Sequence, residues 1–173
     1  MRIKTKQLYF INAFAAVLLL LPLSNLQLFS ENYSTLSLNT RGYLYLLATG
    51  TVCGAVLAYE TMLTGNRKYA VLLFWSLFLA SFIPHHYPYD LQGNFHLFFA
   101  YAGFCVMVSV TYLNLHQNQK HLLIEKYTFS LAAALLFYLK AGMVNTICEL
   151  IIMFATLSVN LFLCIKKQDH SCF

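Results

Sequence analysis

Six apolar segments separated by short polar stretches leave this chain few folds other than a bundle of membrane-spanning helices. Of its 173 residues, 60% are hydrophobic and only 10% are charged, and its mean hydropathy is +0.63. Soluble domains carry charge on roughly a quarter of their residues. A water-soluble chain of this length could not hide so much apolar side chain. The sequence therefore predicts an all-α, polytopic membrane protein.

Four of the six apolar segments match the length that a bilayer requires, since a hydrocarbon core of ~30 Å takes about 20 helical residues to cross. No repeat or linker divides them, so we expect one transmembrane domain over residues 1–173. The third and fifth segments are short, at about 15 residues or roughly 22 Å. The six predicted helices span residues 8–29, 42–63, 69–83, 94–115, 127–141 and 144–165.

Basic residues set the predicted orientation, because cytoplasmic loops of membrane proteins are enriched in lysine and arginine. With a cytoplasmic N-terminus, only Arg41 and Lys140 of the 11 basic residues face the opposite side. We therefore predict a protein of the cell membrane with both termini in the cytoplasm. Basic residues confined to short loops do not form a nucleic-acid patch, and no nucleic-acid partner is expected. The predicted cytoplasmic set is Arg2, Lys4, Lys6, Arg67, Lys68, Lys120, Lys126, Lys166 and Lys167.

Residues 83–104 concentrate ionisable side chains between the third and fourth helices. In the predicted topology this stretch faces away from the cytoplasm. Because the third helix is short, either the bilayer thins there or the loop dips below the headgroups, where its polar residues would line a shallow pocket in the outer half of the membrane. Ionisable residues at that depth are functional candidates. Those in the loop and at the start of the next helix are His85, His86, Tyr87, Asp90 and His96.

Three further charged residues are predicted at the same level. Arg41 begins the second helix, Lys140 ends the fifth and Glu149 lies about one turn into the sixth. Lys140 and Glu149 are expected to share the pocket with His96, either in a functional role or as an ion pair that clamps the last two helices. The catalytic candidates are His96, Asp90 and Glu149; the binding candidates are His85, His86, Tyr87, Arg41 and Lys140.

Histidine and aspartate side chains can also hold zinc around a catalytic water. The candidate ligands are His85, His86, Asp90 and His96. Their spacing is not a known zinc signature, and adjacent histidines in an extended chain point in opposite directions. We therefore expect no cofactor, with zinc only under this alternative. The simpler interpretation is that these residues are interfacial, with His96 hydrogen-bonded to a loop carbonyl and the tyrosines anchored at the headgroups.

Two other features concern packing. Gly50, Gly54 and Ala58 form a small-residue face on the second helix, and Ala100 and Gly103 form one on the fourth. Such faces allow close helix contact, so we expect these two helices to pack together. Glu60, near the cytoplasmic end of the second helix, is interpreted as an interfacial anchor neutralised by the basic residues that follow it.

Two stretches carry a family resemblance. The first stretch is Ser81-Phe-Ile-Pro84, followed by a polar loop and then by His96 with Ala100 and Phe104. The second is residues 28–33, followed by a helix with Gly50 and Gly54. Both resemble the DRAM/Frag/Sfk-like six-helix membrane family and its bacterial relatives of unknown function. The resemblance covers about half the chain. It implies six helices, Pro84 and His96 as a functional pair and, among eukaryotic members, roles in lipid remodelling or in regulating lipid enzymes.

Three functions remain open from the sequence. The first is a membrane protein that handles lipid, or regulates another membrane protein, through the outer polar pocket. The second is an intramembrane metal-dependent lipid hydrolase or acyltransferase that uses the histidine and aspartate cluster. The third is a small-solute binding subunit of a transporter, although the sequence lacks the pair of broken helices typical of transporter sites.

Overall fold

Six α-helices make up most of the part of the chain that the structure describes. The computed structural model covers residues 5–26, 31–84 and 91–170, and none of these lies in a β-strand. Two 3₁₀ helices, Leu21–Asn25 and Tyr33–Leu38, lie between the first two α-helices. The α-helices are α1 Thr5–Leu20, α2 Thr40–Leu63, α3 Arg67–Phe82, α4 Leu91–Gln117, α5 His121–Ala141 and α6 Thr146–His170.

Successive helices run antiparallel, so the bundle has two distinct ends. Residues 64–66 and 118–120 form tight turns at one end, which we call the turn end. Lys167, late in α6, reaches it and donates from Nζ to the Thr64 carbonyl at 2.7 Å. Residues 31–39, which we call the cap, lie at the opposite end, the cap end, together with residues 142–145.

Most helix boundaries differ from the predicted ones, and the largest differences are at the end of α1 and the start of α5. The α1 helix ends at Leu20 and passes into a 3₁₀ turn that contains Pro22. Proline ends an α-helical ladder because it lacks an N–H and its ring clashes with the preceding turn. Residues 27–29, the end of the predicted first helix, lie outside the described residues. The α5 helix begins at His121, six residues before the predicted start, because its first polar turns are helical and exposed rather than a loop.

Side-chain caps fix the starts of two other helices. Asn39 accepts a hydrogen bond from the Gly42 N–H at 2.7 Å and thereby begins α2 at Thr40. Asn145 accepts one from the Cys148 N–H at 3.0 Å directly before α6. Such caps satisfy N–H groups that have no partner within the helix.

Five of the helices are long and apolar enough to cross a membrane; they are α1 (with its 3₁₀ extension), α2, α4, α5 and α6. The prediction of a short third helix is confirmed, since α3 has 16 residues. At 1.5 Å per residue it extends for roughly 24 Å, less than the ~30 Å of a hydrocarbon core. The fifth helix, predicted to be short, has 21 residues.

The distribution of side chains is the reverse of that in a soluble protein. The outside carries large apolar residues, among them Phe10 and Leu91 at 73% exposure and Phe129 at 77%. The interior, by contrast, contains asparagine, threonine and glutamate side chains that are fully buried. Apolar surface of this extent is costly in water but suits hydrocarbon. The described fold is that of a membrane-embedded helical bundle.

The small-residue faces of α2 and α4 both pack on α3, so the predicted direct contact between them is wrong. A Cβ on Gly50 would lie 1.7 Å from Ser81 Oγ, and one on Gly54 would lie 3.4 Å from the Leu77 Cβ. From α4, a Cβ on Gly103 would lie 3.3 Å from the Ser76 carbonyl oxygen of α3. The short helix therefore fills the space between two longer ones.

Candidate functional site

The predicted outer cluster falls largely on the loop after α3. His85, His86, Tyr87 and Asp90 lie outside the described residues. Next to that loop is a cavity of about 530 Å³. Among the residues that the structure describes, no group of three histidine, cysteine or carboxylate side chains is placed to hold a metal ion. The lining of the cavity is mainly apolar: Phe82, Ile83, Pro84, Leu91, Gln92, Phe95 and Phe99.

His96 lies in the second turn of α4 and is 1% exposed. Its Nδ1 is 2.5 Å from the Ile83 carbonyl oxygen and its Nε2 is 2.7 Å from Ser34 Oγ. A carbonyl oxygen only accepts, so Nδ1 carries the proton, and in the neutral ring Nε2 accepts from the Ser34 hydroxyl. The contact of His96 with a backbone carbonyl is of the kind that the simpler interpretation expected, here at the end of α3. His96 joins α4 to the end of α3 and to the cap.

Glu149 also binds the cap, rather than pairing with Lys140. Its Oε2 accepts from the Tyr33 backbone N–H at 2.7 Å, and the nearby Thr146 N–H and Oγ1 bind the Glu31 carbonyl oxygen at 2.7 and 2.8 Å. The expected Lys140–Glu149 ion pair is absent from these described residues, because Lys140 is exposed on the last turn of α5. His96 and Glu149 thus hold opposite sides of one structural segment.

Tyr33 closes the cap against α1. Its side chain is buried, and its hydroxyl donates to the Leu19 carbonyl oxygen. Burial, and after it the charge of Glu149, raises the pKa of Tyr33 above its usual range, so the hydroxyl keeps the proton that it donates. Arg41, the remaining binding candidate at this end, is exposed at the start of α2. The described polar residues at the cap end therefore serve mainly to seat the cap.

Sequence reasoning missed a polar site inside the turn end. Glu60 is fully buried, and Asn12 Nδ2 donates to its Oε1 at 2.7 Å and to the Leu8 carbonyl oxygen at 3.0 Å. The interpretation of Glu60 as an interfacial anchor neutralised by Arg67 or Lys68 is therefore wrong. Both basic side chains are exposed, whereas Glu60 faces a polar residue of α1.

The Glu60–Asn12 pair has two oxygens that no donor reaches within the described structure. They are Glu60 Oε2 and Asn12 Oδ1, both buried. Unsatisfied polar atoms are costly away from water. A carboxylic acid has one O–H donor that a carboxylate lacks and carries no charge, so the neutral form suits this buried position better than the ionised form. The arrangement can therefore hold a proton inside the bundle.

A second buried network begins beside this pair and connects four helices. Asn114 Oδ1 accepts from Thr64 Oγ1 at 3.2 Å and from Asn66 Nδ2 at 2.5 Å. Asn114 Nδ2 donates to Asn160 Oδ1 at 3.2 Å, so α2, α4 and α6 are joined. Nearby, the Tyr127 hydroxyl of α5 is 3.0 Å from Thr156 Oγ1 of α6. Hydrogen bonds of this kind hold helices together where hydrocarbon surrounds them.

The other cavity lies at the turn end. It is a groove of about 910 Å³ between α5 and α6, and it opens to the outside of the bundle. Ser130 and Ser158 add hydroxyl groups, and the basic side chains Lys120, His121, Lys126 and Lys166 lie around the part nearest the turn end. We call this groove the α5–α6 groove and these four residues its rim. Its apolar lining consists of Leu122, Leu123, Ile151, Phe154, Ala155, Val159 and Phe162.

Comparison of the chain with protein-family models, with curated proteins and with solved structures finds no match in any of the three. The signals for the missed sites are nevertheless present in the sequence. Thr156 and Asn160 are four residues apart in an apolar helix, a spacing that places both side chains on one face. Asn12 is likewise a lone amide within an apolar run. Polar residues of this kind inside a span mark interhelical contacts or function.

Proposed function

We propose that this protein is an integral protein of the cell membrane that binds lipid through the α5–α6 groove, without catalysing a reaction itself. The observation that carries the proposal is the lateral opening of a large, mostly apolar groove onto an exterior that is itself apolar. Volumes of 300–1,000 Å³ are typical of small-molecule sites. A groove that faces hydrocarbon is filled first by the molecules that surround it.

The proposed topology has six spans, with the turn end in the cytoplasm. The short α3 is included because its outward residues are apolar along its length, including Val71, Trp75 and Phe82. A bilayer accommodates a short helix by local thinning at modest cost. The turn end carries most of the basic residues, as cytoplasmic sides do. The six-helix count and a lipid-related role agree with what the DRAM/Frag/Sfk-like resemblance implies.

The metal-dependent alternative finds no support among the described residues. His96 is the one member of the candidate ligand set that they include, and both of its ring nitrogens lie within hydrogen-bond distance of protein atoms. Binding a metal there would require the histidine to release the cap or the end of α3. No observation favours the transporter alternative either.

The proposal is tested with a tryptophan placed in the groove. The chain has one tryptophan, Trp75, half exposed on α3. Phe154→Trp in a Trp75→Phe background reports on the groove alone, and the wild-type protein reports on the outer surface. In phosphatidylcholine vesicles whose acyl chains are partly brominated, we expect the fluorescence of both to be quenched. If the groove tryptophan stays bright while Trp75 is quenched, lipid does not enter the groove.

A further inference from the structure

The rim of the α5–α6 groove is positively charged. Lys126 and Lys166 are exposed, and Lys120 is half-buried. No described acidic side chain pairs with any of the three. Glu125 is next to Lys126 in sequence but does not line the groove. The Lys166 ammonium lies 5.5 Å from the centre of the Phe162 ring, which places it at the groove. A cation–π contact of this kind leaves the ammonium hydrogens free for another partner.

We propose that the α5–α6 groove is a binding site for a phospholipid with an anionic headgroup, whose phosphate is held by Lys120, Lys126 and Lys166. This inference rests on the proposed lipid-binding function and adds the chemical class of the lipid. A lysine ammonium binds phosphate as a compact charge with three donors. Three such groups exceed the single charge of one phosphate, so a headgroup without a compensating amine is preferred to a zwitterionic one.

The dimensions of the groove fit an acyl chain below that headgroup. From Ile151 to Lys166 the α6 wall extends for about 15 residues, or roughly 22 Å at 1.5 Å per residue. One leaflet provides roughly half of a ~30 Å hydrocarbon core, so the groove reaches through the leaflet at the turn end. In the proposed topology that leaflet is cytoplasmic, where anionic lipids are concentrated and basic pockets between helices bind their headgroups.

The test uses the same groove tryptophan in vesicles of phosphatidylcholine. A small fraction of the lipid carries brominated chains, on phosphatidylglycerol in one series and on phosphatidylcholine in the other. We expect half-maximal quenching at a several-fold lower fraction of the anionic lipid. Lys126→Gln and Lys166→Gln should each weaken this preference about fivefold, the change that corresponds to ~1 kcal/mol. Lys126→Arg and Lys166→Arg should retain it.

Lys68→Gln is the matched control, because Lys68 is exposed at the turn end but does not line the groove. It should leave the preference unchanged. An effect as large as that of Lys166→Gln would mean that anionic lipid merely accumulates at the membrane surface, and would overturn the proposal. Equal quenching by both lipids would also overturn it but leave the lipid-binding function intact. Quenching by neither lipid would remove that function as well and favour a protein occupant.

Discussion

Glu60 is held by Asn12 inside the bundle, and two replacements separate the shape of its side chain from its charge. Glu60→Gln keeps the shape and offers an N–H in place of the carboxyl proton. Glu60→Ala removes the acceptor of the 2.7 Å bond from Asn12 and leaves a void. We expect Glu60→Ala to lower the free energy of unfolding by about 1–2 kcal/mol, and Glu60→Gln to change it by less than ~0.5 kcal/mol. Unfolding of the purified protein in detergent, followed by circular dichroism, measures both.

Glu125→Ala serves as the control for these variants, since Glu125 is exposed near the same end of the bundle. It should leave stability within ~0.5 kcal/mol of the wild type, as substitutions of exposed residues usually do. If Glu60→Gln is as destabilising as Glu60→Ala, the carboxyl is ionised and the charge itself is required. The protonated pair would then be the wrong description.

The difference between His96 and Glu60 shows which residue-scale features the sequence could predict. The partner of His96 at Ile83 is close in sequence, across one loop, and a histidine at a helix start beside a loop carbonyl could be predicted as a structural contact. Glu60 pairs with Asn12, 48 residues away. Nothing local in either segment says that α1 and α2 place these two side chains together. The identity of a long-range partner depends on helix rotation, which the sequence pattern left open.

At the scale of the helices, Gly50 is the position where α2 and α3 come closest. A Cβ there would lie 1.7 Å from Ser81 Oγ and 2.5 Å from Ser81 Cβ, distances that no real contact has. We expect Gly50→Ala to cost about 1–3 kcal/mol of stability, because the helices must separate. The double variant Gly50→Ala/Ser81→Gly should recover most of this loss, since it removes both clashing atoms. Thermal unfolding in detergent compares the two.

Gly54→Ala is the control on the same face, because its Cβ would meet its nearest neighbour, Leu77 Cβ, at 3.4 Å, an ordinary contact. It should be tolerated. Equal loss in both single variants would show that helix α2 needs glycine for a reason other than its approach to Ser81. Failure of the double variant to recover would contradict the packing of α2 on α3.

The helices themselves could be predicted from the sequence better than their partners could. Apolar length locates each one, since a segment of about 20 apolar residues has few alternatives. The misplaced ends have local causes, such as Pro22 after α1 and the polar first turns of α5, where helix continues past the apolar run. The small residues of α2 and α4 correctly predicted that each of these helices packs closely against another helix. They did not reveal that α3 is the common neighbour, because a small-residue face fits any helix.

For the whole molecule, the placement of polar groups explains both stability and the proposed site. Within hydrocarbon, the hydrophobic effect does not drive helices to associate. Close packing and buried hydrogen bonds such as Asn114–Asn160 must therefore hold the bundle together. The cap binds one end through His96 and Glu149. Most of the described basic residues at the other end are exposed, among them Lys68, Lys126 and Lys166. The α5–α6 groove lies at that second end, so the basic residues on which the proposed orientation rests include those that would select the proposed lipid.

The proposed orientation rests on the same charges and gives the last prediction. If the turn end is cytoplasmic and α3 crosses the membrane, Lys68 and His116 lie inside and Gln92 lies outside. All three residues are exposed, and each is replaced singly by cysteine. The parent protein for these variants lacks Cys105 and Cys172 but keeps Cys53, Cys148 and Cys164, which are buried. In intact cells, an impermeant maleimide should label Gln92→Cys alone, with the other two labelled only after permeabilisation.

Labelling of Lys68→Cys together with Gln92→Cys would mean that α3 does not cross. Labelling of Lys68→Cys and His116→Cys without Gln92→Cys would reverse the orientation and place the groove in the outer leaflet.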